Sequence, residues 1–274
     1  MKPQDAPLVP AGVLVADVHG LRDGQVTRTP DWLAEEVAVA LVANGISQAV
    51  MMASPADLED FALGFGLTEG WLRAPHELYG VDVVPTSDGI ELHLEVASAC
   101  AMRLKERRRS MAGRTGCGLC GTDSLSQVRQ PLPQAPVVHV APAALARAQR
   151  ELRHLQARQQ LTGATHAAAW CDRDGQVLLL REDVGRHNAL DKLVGAMVRA
   201  AADPASGFVA ITSRASFEMV QKAALAGAGL LAAVSAPTAL AVDTARSCNL
   251  ALAGFVRGDD CVAYTVPERF GLAS

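Results

Sequence analysis

Aromatic residues are scarce in this chain, and no charge of one sign dominates it. Aromatics make up 4% of the 274 residues, while hydrophobic residues reach 50% through abundant Ala, Val and Leu. This composition is typical of a tightly packed α/β protein, and the length allows one or two domains. A net charge of -4 and a pI near 6.0 give no reason to expect binding to nucleic acid or to an anionic membrane.

Cysteine is scarce too, with six residues in the whole chain. That number is too small for a disulfide scaffold. The long apolar stretch at 223–242 is interrupted by Gly, Ser and Pro, so it does not predict a membrane span. The N-terminal segment has an early acid and two prolines and lacks the apolar run of a signal peptide. We therefore expect a cytoplasmic protein with reduced thiols.

The first half, residues 1–136, predicts a small α+β domain. Ser54 and Pro55 predict the start of a helix that ends near Gly70. The periodicity fades over 99–136, which predicts a long, mobile loop and linker containing a basic run. The predicted strands form two hairpins: Glu35–Asn44 with Gln48–Ala53, and Val81–Val84 with Ile90–Val96.

The second half, residues 137–274, alternates short strands with helices. This alternation indicates βαβ units around a central sheet, and thus the α/β class. The predicted strands are Ala164–Cys171, Val177–Arg181, Phe208–Thr212, Leu230–Val234, Ala251–Val256 and Val262–Val266. The predicted helices are Pro142–Leu161, His187–Ala200, Phe217–Gly227 and Thr238–Cys248.

Polar residues follow four of these strands, and open α/β sheets bind ligands at the carboxyl ends of their strands. Helix N-termini and arginines there suit phosphate, and Asp259 or Asp260 could accept hydrogen bonds from a base such as guanine. A single Ser or Thr before a helix is usually a plain cap, but the concentration at one edge predicts a phosphate-bearing ligand. The segments are Arg181–Asn188, Thr212–Ser216, Ser235–Thr238 and Arg257–Asp260.

Two histidines lie near this edge. A zinc deaminase would carry an acid two residues after His166 and a thiol pair further on, but Ala167 and Ala168 follow His166 and residues 236–240 contain no thiol. Deaminase chemistry is therefore excluded. His187 could act as an acid or base, or simply donate to the backbone.

Cys117 and Cys120 form a Cys-x-x-Cys pair surrounded by glycines. A structural zinc site needs four ligands, usually two such pairs, and the chain has one, so no structural metal is predicted. A thioredoxin-like dithiol opens a helix, and the flanking Gly116, Gly118 and Gly121 argue against one. Sulfur carriage as a persulfide suits a flexible loop whose second thiol can release the sulfur. Redox exchange remains open beside it.

With the loop and the edge described, the chain resembles the formate dehydrogenase accessory sulfurtransferase family (FdhD) over nearly its whole length. The resemblance is most specific in an acidic-to-basic string that is hard to obtain by chance. The segments that carry it are Glu35–Gly45, Ser54–Gly70, Cys117–Gly121, Glu182–Lys192, Ser235–Thr238 and Gly254–Arg257.

The resemblance implies a cytidine-deaminase-like α/β/α larger domain with a smaller α+β N-terminal domain. It implies a cytoplasmic homodimer that takes sulfur from a cysteine desulfurase and passes it to the molybdenum cofactor, bis(molybdopterin guanine dinucleotide), before insertion into formate dehydrogenase. By matching position, Cys117 would bear the persulfide, with Cys120 as its neighbour. The cofactor, or a GDP-like guanine nucleotide, would contact Phe255, Val256, Arg257, Gly258, Asp259 and Asp260. Four further residues of the edge are expected to contact the same ligand: Ser213, Arg214, Ser235 and Thr238.

The chain departs from the family pattern in three places. Thr115-Gly116 precedes Cys117 where the family often has two serines, Thr162–His166 replaces a Gly-Gly-x-His, and Ser213 replaces a glycine. These departures leave the reaction implied by the resemblance intact. A non-catalytic chaperone that binds the cofactor and uses its thiols for redox sensing is the alternative function.

Overall fold

The computed structural model describes residues 9–112 and 131–272, which fold into three sheets covered by helices. The α/β class predicted from the sequence is confirmed. The domain boundary between 136 and 137 remains a prediction. In the part of the chain that the structure describes, no helix is both long and apolar enough to span a bilayer.

The smaller sheet has four strands in the order β4-β3-β6-β5, and only its central β3–β6 pair is parallel. Both predicted hairpins are confirmed, the first of them turning at Asn44-Gly45 with positive φ angles of 45° and 79°. Helix α1, Leu58–Thr68, and helix α2, Ser98–Ala112, accompany this sheet. The strands are β3 Val37–Ala43, β4 Ile46–Ala53, β5 Leu78–Thr86 and β6 Gly89–Val96.

Two predictions in this half were wrong. Helix α1 starts at Leu58, with Asp57 as its N-cap, and Ser54 is buried instead of capping it. Residues 98–112, predicted as loop, form helix α2, since residues such as Ala, Met, Leu, Lys and Arg favour a helix and Cys100 and Leu104 bury one face of it. Of the rest of the predicted loop, residues 113–130 lie outside the described residues, and residues 131–136 form neither helix nor strand.

A two-stranded ribbon, which the sequence did not predict, precedes these elements. Its strands β1, Val13–Arg22, and β2, Gln25–Ala34, pair in antiparallel register. Leu21 and Val26 face each other near its tip and are mostly exposed. Because neither face of the tip is buried, the ribbon lacks the alternation of apolar and polar residues by which a half-buried strand is recognised.

The larger sheet has six strands in the order β12-β11-β10-β9-β7-β8. Neighbouring strands β9, β10 and β11 are parallel, and β7 runs antiparallel to both β8 and β9. It follows that β8, β9, β10 and β11 all point the same way. The strands are β7 His166–Asp172, β8 Val177–Asp183, β9 Gly207–Ile211, β10 Leu230–Ala233, β11 Ala251–Arg257 and β12 Asp260–Thr265.

Helices cover both faces of this sheet, so the expected α/β/α layering is confirmed. Leu145 and Leu152 of one helix pack on one face with Phe208, while Leu193 and Met219 pack on the other. The predicted helix Pro142–Leu161 is interrupted at Gln156, which gives two helices. The helices are α3 Pro142–Leu155, α4 Ala157–Thr162, α5 Arg186–Arg199, α6 Phe217–Leu225 and α7 Ala239–Ser247.

The two halves meet where α1 crosses α5 at very short range. A Cβ atom on Gly64 would overlap the carbonyl oxygen of Asp191, and one on Gly195 would overlap that of Asp60. Glycine therefore allows the two helix backbones to touch. This close crossing fixes α5, and with it the residues at its N-terminus, against the smaller sheet.

Candidate functional site

The carboxyl ends of four strands of the larger sheet form one edge, as the sequence predicted. Strands β8, β9, β10 and β11 point in the same direction. They end at Asp183, Ile211, Ala233 and Arg257. Strand β7 runs the other way, so its first residue, His166, lies opposite Asp183 at the same edge. The structure thus brings the four predicted segments together. We call this place the carboxyl edge.

The predicted ligand residues after β9 and β10 are partly engaged by the protein itself. Ser213 is buried, and its hydroxyl donates to the carbonyl of Arg214 at 3.0 Å, whereas the Arg214 side chain is exposed. The hydroxyl of Thr238 accepts from Ala241 N at 3.2 Å and caps α7. The carbonyl of Ser235 accepts from the backbone N–H of Phe255 at 3.3 Å. Of these four residues, Arg214 and Thr238 are exposed, Ser235 is half-buried and Ser213 is buried.

The predicted segment after β11 presents an aromatic ring and a guanidinium together. Phe255 is 40% exposed at a positive φ of 51°, and the guanidinium carbon of Arg257 lies 5.8 Å from its ring centroid. Arg257 Nε donates to the carbonyl of Val234 at 2.9 Å, which holds the side chain near the edge. Val256 is buried in the core, so only its backbone can reach a ligand.

The remaining three predicted residues lie where β11 turns into β12, with Gly258 and Asp259 in the turn and Asp260 as the first residue of β12. Gly258 has a φ of 60°, and Asp260 pairs with Arg257 across the hairpin. Asp259 lies 3.1 Å from Arg150 Nη1 as an exposed ion pair. Both carboxylates are open to solvent and free to accept further hydrogen bonds.

The signature segment Glu182–Lys192 begins with residues that face inward. The carboxylate of Glu182, nearly fully buried, accepts from Arg158 N at 3.0 Å, Gln159 N at 2.9 Å and Thr165 Oγ1 at 2.9 Å. It therefore satisfies the first turn of α4, where backbone N–H groups lack helical partners. This acid is structural.

Asp183 and Lys192 form a fully buried ion pair with 2.6 Å between Oδ2 and Nζ. Both also contact Ser54 after β4: Ser54 N donates to Asp183 Oδ2 at 3.0 Å, and Lys192 Nζ donates to the Ser54 carbonyl at 2.9 Å. Asn188 donates to Asp183 Oδ1 at 3.1 Å and to the carbonyl of Met52 at 2.7 Å. Burial lowers the pKa of Lys192, while Asp183 opposes that effect. The pair joins the two halves.

A second buried cluster joins the halves through Asp191, the residue of α5 directly before Lys192. Lys222 Nζ donates to Asp191 at 2.8 Å and 3.0 Å, to Thr68 Oγ1 at 3.0 Å and to Glu69 at 2.9 Å. Although burial opposes the change, the carboxylates of Asp191 and Glu69 raise the pKa of Lys222. Burial raises the pKa of Asp191, and Lys222 opposes that effect.

Sequence reasoning missed both clusters. One signal was present: Asp191 and Lys192 lie between the apolar residues Leu190 and Leu193 of a helix, and neighbouring helical side chains do not face each other. Each therefore needed its own partner elsewhere in the fold. The partners, at residues 54, 183 and 222, were not readable from the spacing.

His187 of the same segment faces the carboxyl edge instead. His187 Nε2 lies 2.7 Å from Glu218 Oε2 at the start of α6, a short contact without the N–H direction of a hydrogen bond. This contact is the main reason that the pKa of Glu218 lies below its usual value. Partial burial, with Arg186 and His187 nearby, lowers the pKa of His166. His187 thus has a side-chain partner, and not only the backbone acceptor considered above.

The predicted reactive thiols, Cys117 and Cys120, lie outside the described residues. The four cysteines that the structure describes are free, and burial is the main factor that raises the pKa of each thiol. Raised thiol pKa values make weak nucleophiles. Within 9–112 and 131–272, no group of three or more His, Cys, Asp or Glu side chains could hold a metal ion. The four cysteines are Cys100, Cys171, Cys248 and Cys261.

Comparison with known proteins agrees with this architecture. The chain is 57% identical over 272 residues to the sulfur carrier protein FdhD of Variovorax paradoxus (strain S110), covering 98% of this chain and 97% of that one. It is 56% identical over 263 residues to the sulfur carrier protein FdhD of Bordetella petrii (strain ATCC BAA-461 / DSM 12804 / CCUG 43448), covering 96% of this chain and 94% of the relative.

A solved structure has the same fold. It is described as a formate dehydrogenase accessory protein from Desulfotalea psychrophila, and it matches with a TM-score of 0.73 and 21% identity over 94% of this chain and 99% of its own. The sequence profile of the FdhD/NarQ family matches residues 34–271. The chain therefore belongs to the FdhD/NarQ family.

Proposed function

We propose that this protein is a sulfur carrier. It accepts sulfur from a cysteine desulfurase as a persulfide on Cys117 and transfers it to the molybdenum cofactor, bis(molybdopterin guanine dinucleotide), before that cofactor enters formate dehydrogenase. The cofactor is the substrate of the protein. The cytoplasmic location and the homodimeric state implied by the resemblance belong to the same proposal.

The observation that carries this proposal is the whole-length similarity to proteins named as sulfur carriers. The identity of 57% over 98% of the chain supports the same chemistry in this protein and in that relative. The solved structural relative is described as an accessory protein of formate dehydrogenase, which agrees with the proposed destination of the sulfur.

The carboxyl edge supports the receiving half of the proposal. An exposed aromatic ring beside Arg257 offers a stacking surface for a base, and the guanidinium offers a partner for phosphate. Asp259 and Asp260 offer carboxylates of the kind that accept hydrogen bonds from the guanine edge. The guanosine phosphates of the cofactor fit this combination.

The cysteines that the structure describes are poorly suited to accept sulfur, which supports Cys117 as the sulfur-accepting residue. Cys100 and Cys171 are fully buried and Cys248 nearly so, and all have raised thiol pKa values. A sulfur-accepting cysteine must form a thiolate and reach a donor enzyme. The glycine-flanked pair Cys117 and Cys120 is better suited by its sequence context.

Intact-mass analysis after incubation with a cysteine desulfurase and cysteine tests this function. We expect the wild type to gain the mass of one sulfur atom, and Cys117→Ala to gain none. Cys261→Ala is the matched control, since Cys261 is the most accessible of the described thiols and should not matter. A wild type that gains no sulfur while still binding GDP would instead favour the cofactor-binding chaperone.

A further inference from the structure

The His187–Glu218 pair lies at the carboxyl edge but has no part in the joints between the two halves. His187 is the second residue of α5, and Glu218 is the second residue of α6. The starts of the two helices lie side by side, and His187 Nε2 is 2.7 Å from Glu218 Oε2. The side chains are 32% and 56% exposed, respectively, so a substrate at this edge can reach them. A carboxylate beside an imidazole is the arrangement that positions a histidine for proton transfer.

Unpartnered polar atoms surround the pair. Six buried side-chain nitrogen and oxygen atoms in the described residues have no hydrogen-bond partner, and one of them, His187 Nε2, is the atom that contacts Glu218. Three others lie at the N-cap or within the first two turns of α5 and α6: Arg186 Nε, Ser216 Oγ and Gln221 Oε1. Protein interiors rarely leave such atoms unpaired, and exceptions occur at sites that bind or react. Ser216 occupies the N-cap position of α6 but makes no cap hydrogen bond.

The charges around the pair favour a neutral second imidazole. His166 at the start of β7 has a lowered pKa, because of partial burial and then of the nearby Arg186 and His187. The pKa of Glu218 is lowered first by His187, and Lys222 and Arg186 contribute. From β8, Asp183 faces this region, but its carboxylate is already paired with Lys192. Near neutral pH, Glu218 is therefore ionised and His166 uncharged.

We propose that His187, positioned by Glu218, transfers the proton during delivery of sulfur at the carboxyl edge. The substrate class is a persulfide presented to an acceptor bound at this edge, so the inference rests on the proposed function. In this proposal His187 is the catalytic residue, because its partly exposed imidazole lies at the edge where the acceptor binds. Glu218 is a positioning residue.

The step balances with the persulfide and its acceptor alone. An electron pair of the acceptor, here the reduced molybdenum centre of the substrate, forms a bond to the outer sulfur as the S–S bond breaks. The S–S electron pair remains on the inner sulfur as a thiolate. Neutral His187 takes the proton of the outer sulfur and returns it to that thiolate, which leaves a thiol. The acceptor is oxidised by two electrons, and the persulfide is reduced by two.

Single-turnover transfer tests this role. The full-length protein is loaded with radioactive sulfur by a cysteine desulfurase, separated, and mixed with reduced bis(molybdopterin guanine dinucleotide) from about pH 5.5 to about pH 9, a range that spans ordinary imidazole titration. We expect His187→Gln to load normally and to bind GDP normally, but to transfer about 100-fold more slowly, with the pH dependence lost. Glu218→Gln should transfer about tenfold more slowly while loading with sulfur and binding GDP normally.

The matched control is a second histidine–glutamate pair far from the edge. His93 Nε2 lies 2.8 Å from Glu91 Oε2 on β6, with similar exposure of the histidine. His93→Gln and Glu91→Gln should transfer like the wild type at every pH.

Each other outcome overturns the inference. If His187→Gln transfers at the wild-type rate with the wild-type pH profile, the dyad has no role while the proposed function stands. If His187→Gln or Glu218→Gln loses GDP binding and transfer in equal measure, the role is structural. If the wild type accepts no sulfur, the proposed function fails and this inference with it.

Discussion

The segment Glu182–Lys192 contains two sets of residues, one buried in the core and one exposed at the carboxyl edge. Asp183 and Lys192 are both fully buried, and their 2.6 Å ion pair holds Ser54 of the smaller half. His187, between them in the sequence, faces the carboxyl edge and meets an exposed glutamate. Lys192 and His187 lie on different faces of α5, one toward the core and one toward the edge, while Asp183 meets Lys192 from the end of β8.

The comparison separates what identifies the family from what performs its chemistry. Most charged residues of the signature join α5 to the smaller half, and these joints fix where the edge residues lie. A buried ion pair is poor evidence of net stabilisation, but the loss of one partner is costly. The inward residues should therefore control folding, and the outward residues should control binding and transfer.

Loss of Lys192 should have the largest effect on stability. In Lys192→Met the carboxylate of Asp183 remains fully buried without its cation, and we expect a loss of about 3–5 kcal/mol in the free energy of unfolding. Replacement of both partners, Asp183→Leu with Lys192→Met, should recover most of that loss. Urea unfolding measures all three free energies.

An exposed pair of nearly the same length gives the control. Arg28 and Asp17 lie 2.7 Å apart with more than half of each side chain exposed. Arg28→Met should cost at most about 1 kcal/mol. If Lys192→Met costs no more than Arg28→Met, the inward set does not hold the halves together.

Loss of Lys222 should have a smaller effect that depends on alkaline pH. Since the pKa of Lys222 is raised by its carboxylates against the effect of burial, its contribution is complete below the ordinary lysine pKa and lost as the pH rises above the folded value. Lys222→Met should cost about 2 kcal/mol near neutral pH. That cost is limited because Asp191, whose pKa burial raises, can take up a proton.

Urea unfolding of both proteins at about pH 8 and at about pH 11 checks this prediction, because lysine ordinarily titrates between those values. The difference in unfolding free energy between wild type and Lys222→Met should shrink at the higher pH. A difference that stays constant or grows would mean that the charge of Lys222 contributes nothing.

The sequence predicted the elements whose signals are local. Short apolar runs followed by polar turns predicted the strands of the larger sheet and the carboxyl edge at which they end, because parallel strands place their carboxyl ends together. The hairpin at Asn44-Gly45 followed from the left-handed conformation that such a turn requires. The α/β class was predictable for the same reason.

The joints between the halves were not predictable, because their partners are far apart in the chain. Ser54 and Asp183 are separated by 129 positions, and Ser54 and Lys192 by 138. Ser54 before Pro55 therefore resembled a helix cap, while the fold uses it to receive an ion pair. The short contact of His187 with Glu218 depends on the same tertiary placement of α5 beside α6.

Arg257→Ala should have the smallest effect on stability, and it should lower the affinity for the ligand. The side chain is exposed, with one hydrogen bond to Val234 and a ring contact with Phe255, so we expect the free energy of unfolding to change by at most about 0.5 kcal/mol. The affinity for GDP should fall about tenfold, which corresponds to about 1.4 kcal/mol, and sulfur loading at Cys117 should be unchanged.

Isothermal titration calorimetry with GDP measures the affinity of Arg257→Ala against that of Arg246→Ala. Arg246 is an exposed arginine whose contact with Asp243 on α7 is 3.6 Å long, so its loss should leave GDP binding unchanged. Equal affinities in the two variants would remove Arg257 from the ligand site. A large loss of unfolding free energy in Arg257→Ala would contradict the division between inward and outward residues. A residue at the carboxyl edge would then stabilise the fold as the buried lysines do.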